Sequence, residues 1–347
     1  GGWDPGRLSA LQNVTQLISH SFTSQFVFPV LGHTEPPSDL YQQLIALWQH
    51  WLPTEALTTF QKGGYYMIEQ KARKLRVIAL NTNLWAVEND VEDPGGQWQW
   101  LDSQLAKLYR NRQTVYLVGH IAPGFDERQG SPPRLGLAPR HNARYVQMIS
   151  KYSEVIMGQF FSHLHSDTFR IVYTHTGVPV SSIFLAPAVT PQRTVSGTNN
   201  PGLRLYKFDT DTGQLLDYSQ YYLDLTAANQ KGEADWSLEY NFTSYYQLSE
   251  VSPKALHDLA QMFTTEEGKE VFGRYWVANS VQVYNLPTNL AWVNAHYCAI
   301  TQLDFTGYHN CLMTRASALA AASSGQDAIT SAAFLVLTTA IIFLVLR

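Results

Sequence analysis

The sequence predicts a mixed α/β protein in which two stacked β-sheets are flanked by helices and followed by a small, mostly helical C-terminal region. Short apolar runs typical of buried strands alternate with segments of helical periodicity. In the middle of the chain several strands follow one another directly, which favours two sheets over one parallel sheet. At 347 residues, with 45% hydrophobic residues, the chain is long enough for one large domain and a smaller one.

The elements follow from periodicity and from the turn residues between them. Apolar positions spaced three or four residues apart predict helices, and apolar or β-branched runs bounded by Gly and Pro predict strands. The predicted helices lie at residues 8–22, 39–50, 54–61, 97–109 and 142–151. The predicted strands lie at residues 26–31, 65–69, 75–81, 115–118, 155–157, 169–173, 183–188 and 203–208.

From about residue 211 the character of the chain changes. Residues 214–225 predict one last long strand, and residues 234–273 are mostly helical in pattern. We therefore expect a core domain over residues 1–210, a C-terminal domain over residues 211–312, and a linker with an apolar tail over residues 313–347.

Three histidines follow predicted strands and form the most informative feature of the sequence. His120 comes after the run Val-Tyr-Leu-Val, and His163 and His165 come after Val-Ile-Met and a short connection. Polar residues just past buried strands lie at the edge of a sheet, where several imidazoles can point at one metal ion. Gly119 permits close approach of the backbone beside His120. The alternative for each histidine is a hydrogen-bonded core residue, but the shared placement favours a metal site.

Composition argues against a nucleic-acid polymer as the main partner, because the net charge is −4 and no Lys/Arg cluster is present.

The two cysteines, Cys298 and Cys311, would be free thiols in a cytosolic protein and a disulfide in an exported one. The glycosylation triplets at Asn13 and Asn241 favour export.

The C-terminal tail predicts attachment to a membrane. Residues 332–346 carry no charge, and the small residues Ser323 and Ser324 precede them across a short polar spacer. This order is typical of a GPI-attachment signal, with Ser323 or Ser324 as the attachment site, and a single transmembrane helix is the alternative. We therefore expect an extracellular, cell-surface protein of the secretory pathway. The sequence begins without methionine or a signal peptide, so we expect it to be incomplete at its N-terminus.

Four motifs resemble those of the acid sphingomyelinase-like phosphodiesterases. Residues 119–125 (GHIAPGF) resemble the family's Gly-His-x-x-Pro-Gly segment, and residues 158–169 (GQFFSHLHSDTF) resemble Gly-Gln-Phe-Phe-Gly-His-x-His-x-Asp-x-Phe. Residues 81–85 (NTNLW) and 93–101 (DPGGQWQWL) also match. The likeness covers nearly the whole chain, and the tail-anchored, glycosylated form most resembles the 3b branch.

The resemblance implies a calcineurin-like metallophosphoesterase β-sandwich over residues 1–210, with two zinc ions in a complete active site. By position, His120 and His163 resemble ligands of one zinc and His165 a ligand of the other. A hydroxide bridging the metals would attack the phosphorus of a lipid-headgroup or nucleotide phosphodiester. Residues 211–312 would form the sphingomyelinase-type C-terminal domain, and Cys298 and Cys311 resemble a disulfide of that region.

The resemblance also suggests residues that orient the metal ligands and exposes two departures from the family. Gln159 and Asp167 are expected to orient ligands, as is Glu35. The family's Gly-Asn-His segment is Gly32-His33-Thr34 here, so His33 replaces an asparagine ligand and Thr34 replaces the catalytic histidine. The family's upstream Asp-x-His and Gly-Asp segments have no match. Two hypotheses follow. The protein is a zinc-dependent phosphodiester hydrolase, or it is a catalytically inactive surface protein that binds a ligand in the cleft corresponding to the family's active site.

Overall fold

The computed structural model describes residues 5–23, 27–33, 40–70, 74–86, 89, 91–129, 134–190, 197–285 and 290–317. The helices with their bounds are α1 (Pro5–Ser21), α2 (Leu40–Trp48), α3 (Thr54–Gly63), α4 (Gln97–Arg110), α5 (Pro139–Lys151), α6 (Leu225–Lys231), α7 (Phe242–Tyr246), α8 (Pro253–Met262), α9 (Lys269–Asn279), α10 (Leu290–Thr301) and α11 (305–317). The strands are β1 (Tyr66–Gln70), β2 (Leu75–Ala79), β3 (Val115–Val118), β4 (Ile156–Phe161), β5 (Thr168–Tyr173), β6 (Pro179–Leu185), β7 (Gly202–Phe208), β8 (Leu215–Leu223) and β9 (Trp236–Asn241). The predicted mixed α/β class is confirmed.

The strands form two sheets. The larger sheet has six strands in the order β1-β2-β3-β4-β6-β5, and β2, β3, β4 and β6 run parallel to one another. The edge strands β1 and β5 run antiparallel to their neighbours. The smaller sheet has the order β7-β8-β9 and is antiparallel. Strands β7 and β8 pair with each other across position 211, where we predicted a domain boundary.

The two sheets pack face to face through aromatic side chains. On β6, Ile183 and Leu185 point to a core shared with α4 and α5, while Phe184 between them points to the other face. This alternation is the period of two expected of a strand buried on both faces. Phe184 meets Tyr206 and Tyr218 of the smaller sheet with ring centroids 6.5 Å and 6.0 Å apart.

One predicted strand does not form, and one strand was not predicted. Residues 27–32 form no strand, although a strand was predicted over 26–31; Pro29 has no N–H to donate to a ladder, and its carbonyl accepts from Tyr66 Oη at 2.8 Å instead. Residues 234–273, predicted to be mostly helical, contain α7, α8 and the start of α9, but also β9, which pairs with β8 and was not predicted. Large apolar or aromatic residues at every second position, Trp236, Leu238 and Tyr240, indicate a strand, and the helix prediction did not take this alternation into account.

Candidate metal centre

The parallel strands bring two of the predicted histidines to one edge of the larger sheet. β3 leads into Gly119-His120, and the neighbouring β4 leads into Ser162-His163. The two connections are hydrogen-bonded as they leave the sheet: Gly119 N–H donates to Phe160 O, and Ser162 N–H donates to His120 O. At Gly119 an added Cβ would lie 2.6 Å from the Phe161 ring, so the close approach requires glycine.

Three imidazoles converge at this edge. His120 Nε2 lies 3.3 Å from His33 Nδ1 and 3.2 Å from His163 Nδ1. One nitrogen from each ring falls within a group whose members lie within 4.8 Å of one another. The rings of His33 and His120 stack with centroids 5.5 Å apart, and His163 meets both edge-on. Three nitrogens this close fit the ligand set of a three-histidine zinc site.

Burial and crowding keep two of these histidines neutral. Burial first, and then the neighbouring imidazoles of His163, His33 and His165, lower the pKa of His120 to about 3. Burial and the same kind of neighbours lower the pKa of His163 to about 4. A neutral imidazole presents the lone pair that a metal ion needs, so the cluster is ready to bind a cation at neutral pH.

Ser162 is a contact of the histidine cluster that the sequence did not predict. Its hydroxyl lies 3.1 Å from His120 Nδ1. When Nδ1 carries the proton and donates it to this hydroxyl, Nε2 keeps its lone pair and faces the other two rings. Its position directly before His163 was the available signal.

His165 lies outside the close group of three. Among the described residues, the grouped nitrogens come from His33, His120 and His163, although His165 is near enough to influence the pKa of His120 and His163. The His165 carbonyl accepts a hydrogen bond from Asn199 Nδ2. Its predicted role as the ligand of a second metal ion stays a prediction.

The loop that carries both histidines is held in an unfavourable backbone conformation. His163 and His165 have φ angles of 68° and 61°, in the left-handed region that costs a non-glycine residue about 1–3 kcal/mol. Asn279 at the end of α9 clamps the loop, since its carbonyl accepts from Asp167 N–H at 3.1 Å and its Nδ2 donates to Asp167 O at 3.0 Å. The C-terminal region therefore supports the histidine loop directly.

A buried polar network lies beneath this loop. Arg128 Nε donates to Asn279 Oδ1 at 2.8 Å, and one terminal nitrogen of Arg128 donates to Asn199 Oδ1 at 2.6 Å. Arg170 pairs with Glu127 at 2.5 Å, with both side chains fully buried. Burial alone would raise the pKa of Glu127, but the Arg170 guanidinium and other charges hold that pKa below its usual value. The signal in the sequence was Arg170 within an apolar strand, where a charge requires a partner.

Gln159 and Asp167 make contacts other than those we predicted. Gln159 is buried in β4, accepts from Tyr145 Oη at 2.7 Å, and donates to Ser181 Oγ at 2.9 Å. Asp167 pairs with Arg204 of β7 at 2.5 Å and accepts from Tyr240 Oη of β9. These contacts place Gln159 within the larger sheet and Asp167 at the seam between the sheets, and their expected role in orienting the histidines stays a prediction.

The remaining predicted positions have different outcomes. The Cys298–Cys311 disulfide is confirmed and joins α10 to α11, with Cα atoms 5.8 Å apart. Asn13 is exposed on α1, and Asn241 is half-buried with Oδ1 accepting from Ser219 at 2.6 Å. Thr34, Glu35, Ser323 and Ser324 lie outside the described residues, as does the apolar tail at 332–346.

No helix within the described part of the chain is both long and apolar enough to cross a bilayer.

Comparison with known proteins identifies the family. A family model described as the acid sphingomyelin phosphodiesterase C-terminal region matches residues 178–318. Over 323 residues the chain is 36% identical to the cyclic GMP-AMP phosphodiesterase SMPDL3A of Bos taurus, covering 88% of this chain and 71% of that protein. Over 325 residues it is 34% identical to the acid sphingomyelinase-like phosphodiesterase 3b of Homo sapiens, covering 88% and 70%.

One further relative and one solved structure are less similar to this chain. The sphingomyelin phosphodiesterase of Bos taurus is 31% identical over 305 residues, covering 79% of this chain and 46% of that protein. The match to a solved structure of PhoD covers 63% of this chain and 50% of the PhoD chain. Its sequence identity of 10% and its TM-score of 0.36 are too low to support an argument. The relatives that resemble most of this chain are named as phosphodiester hydrolases. The chain belongs to the acid sphingomyelinase-like phosphodiesterase family, a family of phosphoric diester hydrolases.

Proposed function

We propose that this protein is a zinc-dependent phosphodiester hydrolase whose metal is held by His33, His120 and His163. The observation that carries the proposal is the convergence of one nitrogen from each ring within 4.8 Å. Two further features support it: the lowered pKa values keep His120 and His163 neutral, and imidazole nitrogen ligands suit zinc better than calcium or magnesium.

When bound, zinc supplies a Lewis acid that polarises the phosphoryl group and lowers the pKa of a coordinated water. The protein's own residues do the rest. Ser162 holds the orientation of the His120 ring through its contact with Nδ1, and the hydrogen bonds from Asn279 hold the loop of His163 in place. A second zinc ion with His165 among its ligands is part of the proposal and is supported by the family motif.

The proposed substrates are phosphodiesters with a nucleotide or a phospholipid headgroup. Relatives named as a cyclic GMP-AMP phosphodiesterase and as a sphingomyelin phosphodiesterase support both classes. We further propose action at the cell surface, supported by the triplets at Asn13 and Asn241, the disulfide and the apolar tail. The net charge of −4 argues against a nucleic-acid polymer as substrate.

The test is hydrolysis of bis(p-nitrophenyl) phosphate, cyclic GMP-AMP and sphingomyelin with chelated and zinc-restored protein. We expect zinc to restore activity, and His120→Ala or His163→Ala to lower it more than about 100-fold, since loss of even an orienting partner costs 10–100-fold. His175→Ala, an exposed histidine at the other end of the larger sheet, is the control. Zinc-loaded protein without turnover on any of the three diesters would contradict the proposal.

The second candidate is a catalytically inactive binding protein, favoured by His33-Thr34 standing where the family has Asn-His. Threonine cannot serve as a general acid near neutral pH, and losing one typically costs about 10²–10⁴-fold in rate. The double substitution His33→Asn with Thr34→His then raises activity from near zero. Wild-type protein as fast as the double variant excludes this candidate.

A further inference from the structure

The turn that follows β2 reaches two of the three histidine segments. It spans Thr82–Trp85 and lies at the same edge of the larger sheet as His120, because β2 and β3 are parallel neighbours. Thr82 Oγ1 accepts a hydrogen bond of 2.8 Å from Ile121 N–H, the residue directly after His120. Asn83 Nδ2 donates a hydrogen bond of 2.6 Å to Gly32 O, the residue directly before His33.

These two bonds connect segments that the sheet does not hold in register. Residues 27–32 belong to no strand, so backbone pairing with the sheet does not fix the position of His33. Thr82 and Asn83 are 0% and 5% exposed. The bond from Ile121 N–H to Thr82 is buried and shielded from competing water, and the bond from Asn83 to the exposed Gly32 is partly buried. Because Thr82 and Asn83 are adjacent, one rigid turn holds the backbones on both sides of the 3.3 Å gap between His120 Nε2 and His33 Nδ1.

We propose that Thr82 and Asn83 are positioning residues that set the spacing of His33 and His120 and thereby the affinity of this site for a metal ion. The inference rests on the proposed metal site and extends it to residues that touch neither the metal nor the substrate. An isosteric change at either position leaves all three imidazoles in the protein but loosens their relative placement, and displaced partners of metal ligands typically cost about 10–100-fold in affinity.

Asn81 provides a matched control within the same stretch of chain. It is fully buried, like Thr82, but its Nδ2 donates away from the histidines, to Tyr41 Oη at 3.1 Å and to Gly63 O at 2.9 Å. Asn81→Asp and Asn83→Asp each replace a buried amide donor with a carboxylate of the same size. The two variants share the cost of burying a charge and differ in which segment loses its hydrogen bond.

The experiment measures Zn²⁺ affinity of the full chain by competition with a chromophoric chelator, and the visible spectrum of the Co²⁺-substituted protein. We expect Asn83→Asp and Thr82→Val to weaken Zn²⁺ binding about 10–100-fold and to change the Co²⁺ spectrum. Thr82→Ser keeps the hydroxyl acceptor and should bind as the wild type does. Asn81→Asp should lower the melting temperature while Zn²⁺ affinity stays within about twofold of the wild type.

The outcomes separate this inference from the proposed function. Wild-type protein that binds Zn²⁺, together with Thr82→Val and Asn83→Asp variants of unchanged affinity, overturns the positioning role and leaves the hydrolase proposal intact. Wild-type protein without Zn²⁺ affinity overturns both. Equal losses of Zn²⁺ affinity in Asn81→Asp and Asn83→Asp would indicate a general structural effect and would also overturn the positioning role. If either aspartate variant does not fold, the comparison of Zn²⁺ affinity between Thr82→Val and Thr82→Ser tests the positioning role instead.

Discussion

At the scale of single residues, folding holds His120 and His163 in the neutral form that a metal ion binds. His120 and His163 have a pKa near 6.5 in the unfolded chain but about 3 and about 4 in the folded protein, chiefly because both rings are buried. Between those values the unfolded state binds more protons than the folded state, so protons favour unfolding there. A bound metal ion needs the same neutral rings that folding imposes.

The metal-free protein should therefore lose stability as the pH falls from about 6.5 towards 4, in the window between the unfolded and folded pKa values of these histidines. Thermal melting of chelated protein across this range checks the expectation. The variant with both His120→Gln and His163→Gln should show a flatter pH dependence. An equally steep decline in that variant would mean that other groups cause the acid sensitivity.

At the scale of elements, the loop after β4 depends on the charged pair beneath it. Glu127 and Arg170 are fully buried and lie 2.5 Å apart, and Glu127 Oε1 also accepts from Ser166 Oγ and Asn279 Nδ2. Ser166 and Asn279 contact the loop that carries His163 and His165. The pair thus joins β5 and α9 to the histidine loop.

Removing one partner of this pair should destabilise the protein by about 3–5 kcal/mol, because it leaves an uncompensated buried charge. Arg170→Met tests this in a urea titration. The double variant Glu127→Gln with Arg170→Met removes both charges and should recover part of the loss, which a double-mutant cycle measures. A single variant within about 1 kcal/mol of the wild type would show that Glu127 is neutral or solvated in the folded protein.

The sequence predicts elements well where one local period dominates. The histidines at the ends of β3 and β4 and the helices α4 and α5 follow from nearby residues, whereas the disulfide followed from the expected export and the family resemblance. The two misses have local causes. In the segment predicted as a strand at 26–31, Pro29 has no N–H to donate, and in β9 the alternation at Trp236, Leu238 and Tyr240 was present but was taken as part of a helical stretch.

The candidate site also has parts that the local sequence predicts and parts that it does not. His120 and His163 were predictable from motif and strand order, whereas the contacts of Thr82, Asn83 and Asn279 join segments between 39 and 112 residues apart. Thr82 and Asn83 lie in the motif at residues 81–85, but no local pattern predicts what they contact, because their partners become neighbours only once the chain has folded. Sequence therefore identified the candidate ligands, and the structure identified what holds them.

At the scale of the whole molecule, the site and the sandwich are joined. Asp167 follows the histidine loop and contacts Arg204 of β7 and Tyr240 of β9, so the smaller sheet contributes to fixing the loop. The same seam is filled by aromatic rings, with Phe184 of β6 facing Phe160, Tyr206, Tyr218 and Phe242. The seam therefore bears on both global stability and the geometry of the candidate metal centre.

Phe184→Ala should lower the free energy of unfolding by about 3–5 kcal/mol, because a buried ring is lost and a cavity opens between the sheets. Leu205→Ala, on the exposed face of β7 where the side chain is 56% exposed, should change it by less than about 0.5 kcal/mol. If the metal binds only the folded state, saturating zinc should offset part of the Phe184→Ala loss, by about 2.7 kcal/mol at a hundredfold excess over Kd. Urea titrations of both variants with and without zinc measure these effects. If zinc raises the free energy of unfolding of Phe184→Ala much less than that of the wild type, the loss of packing between the sheets also disturbs the histidine cluster.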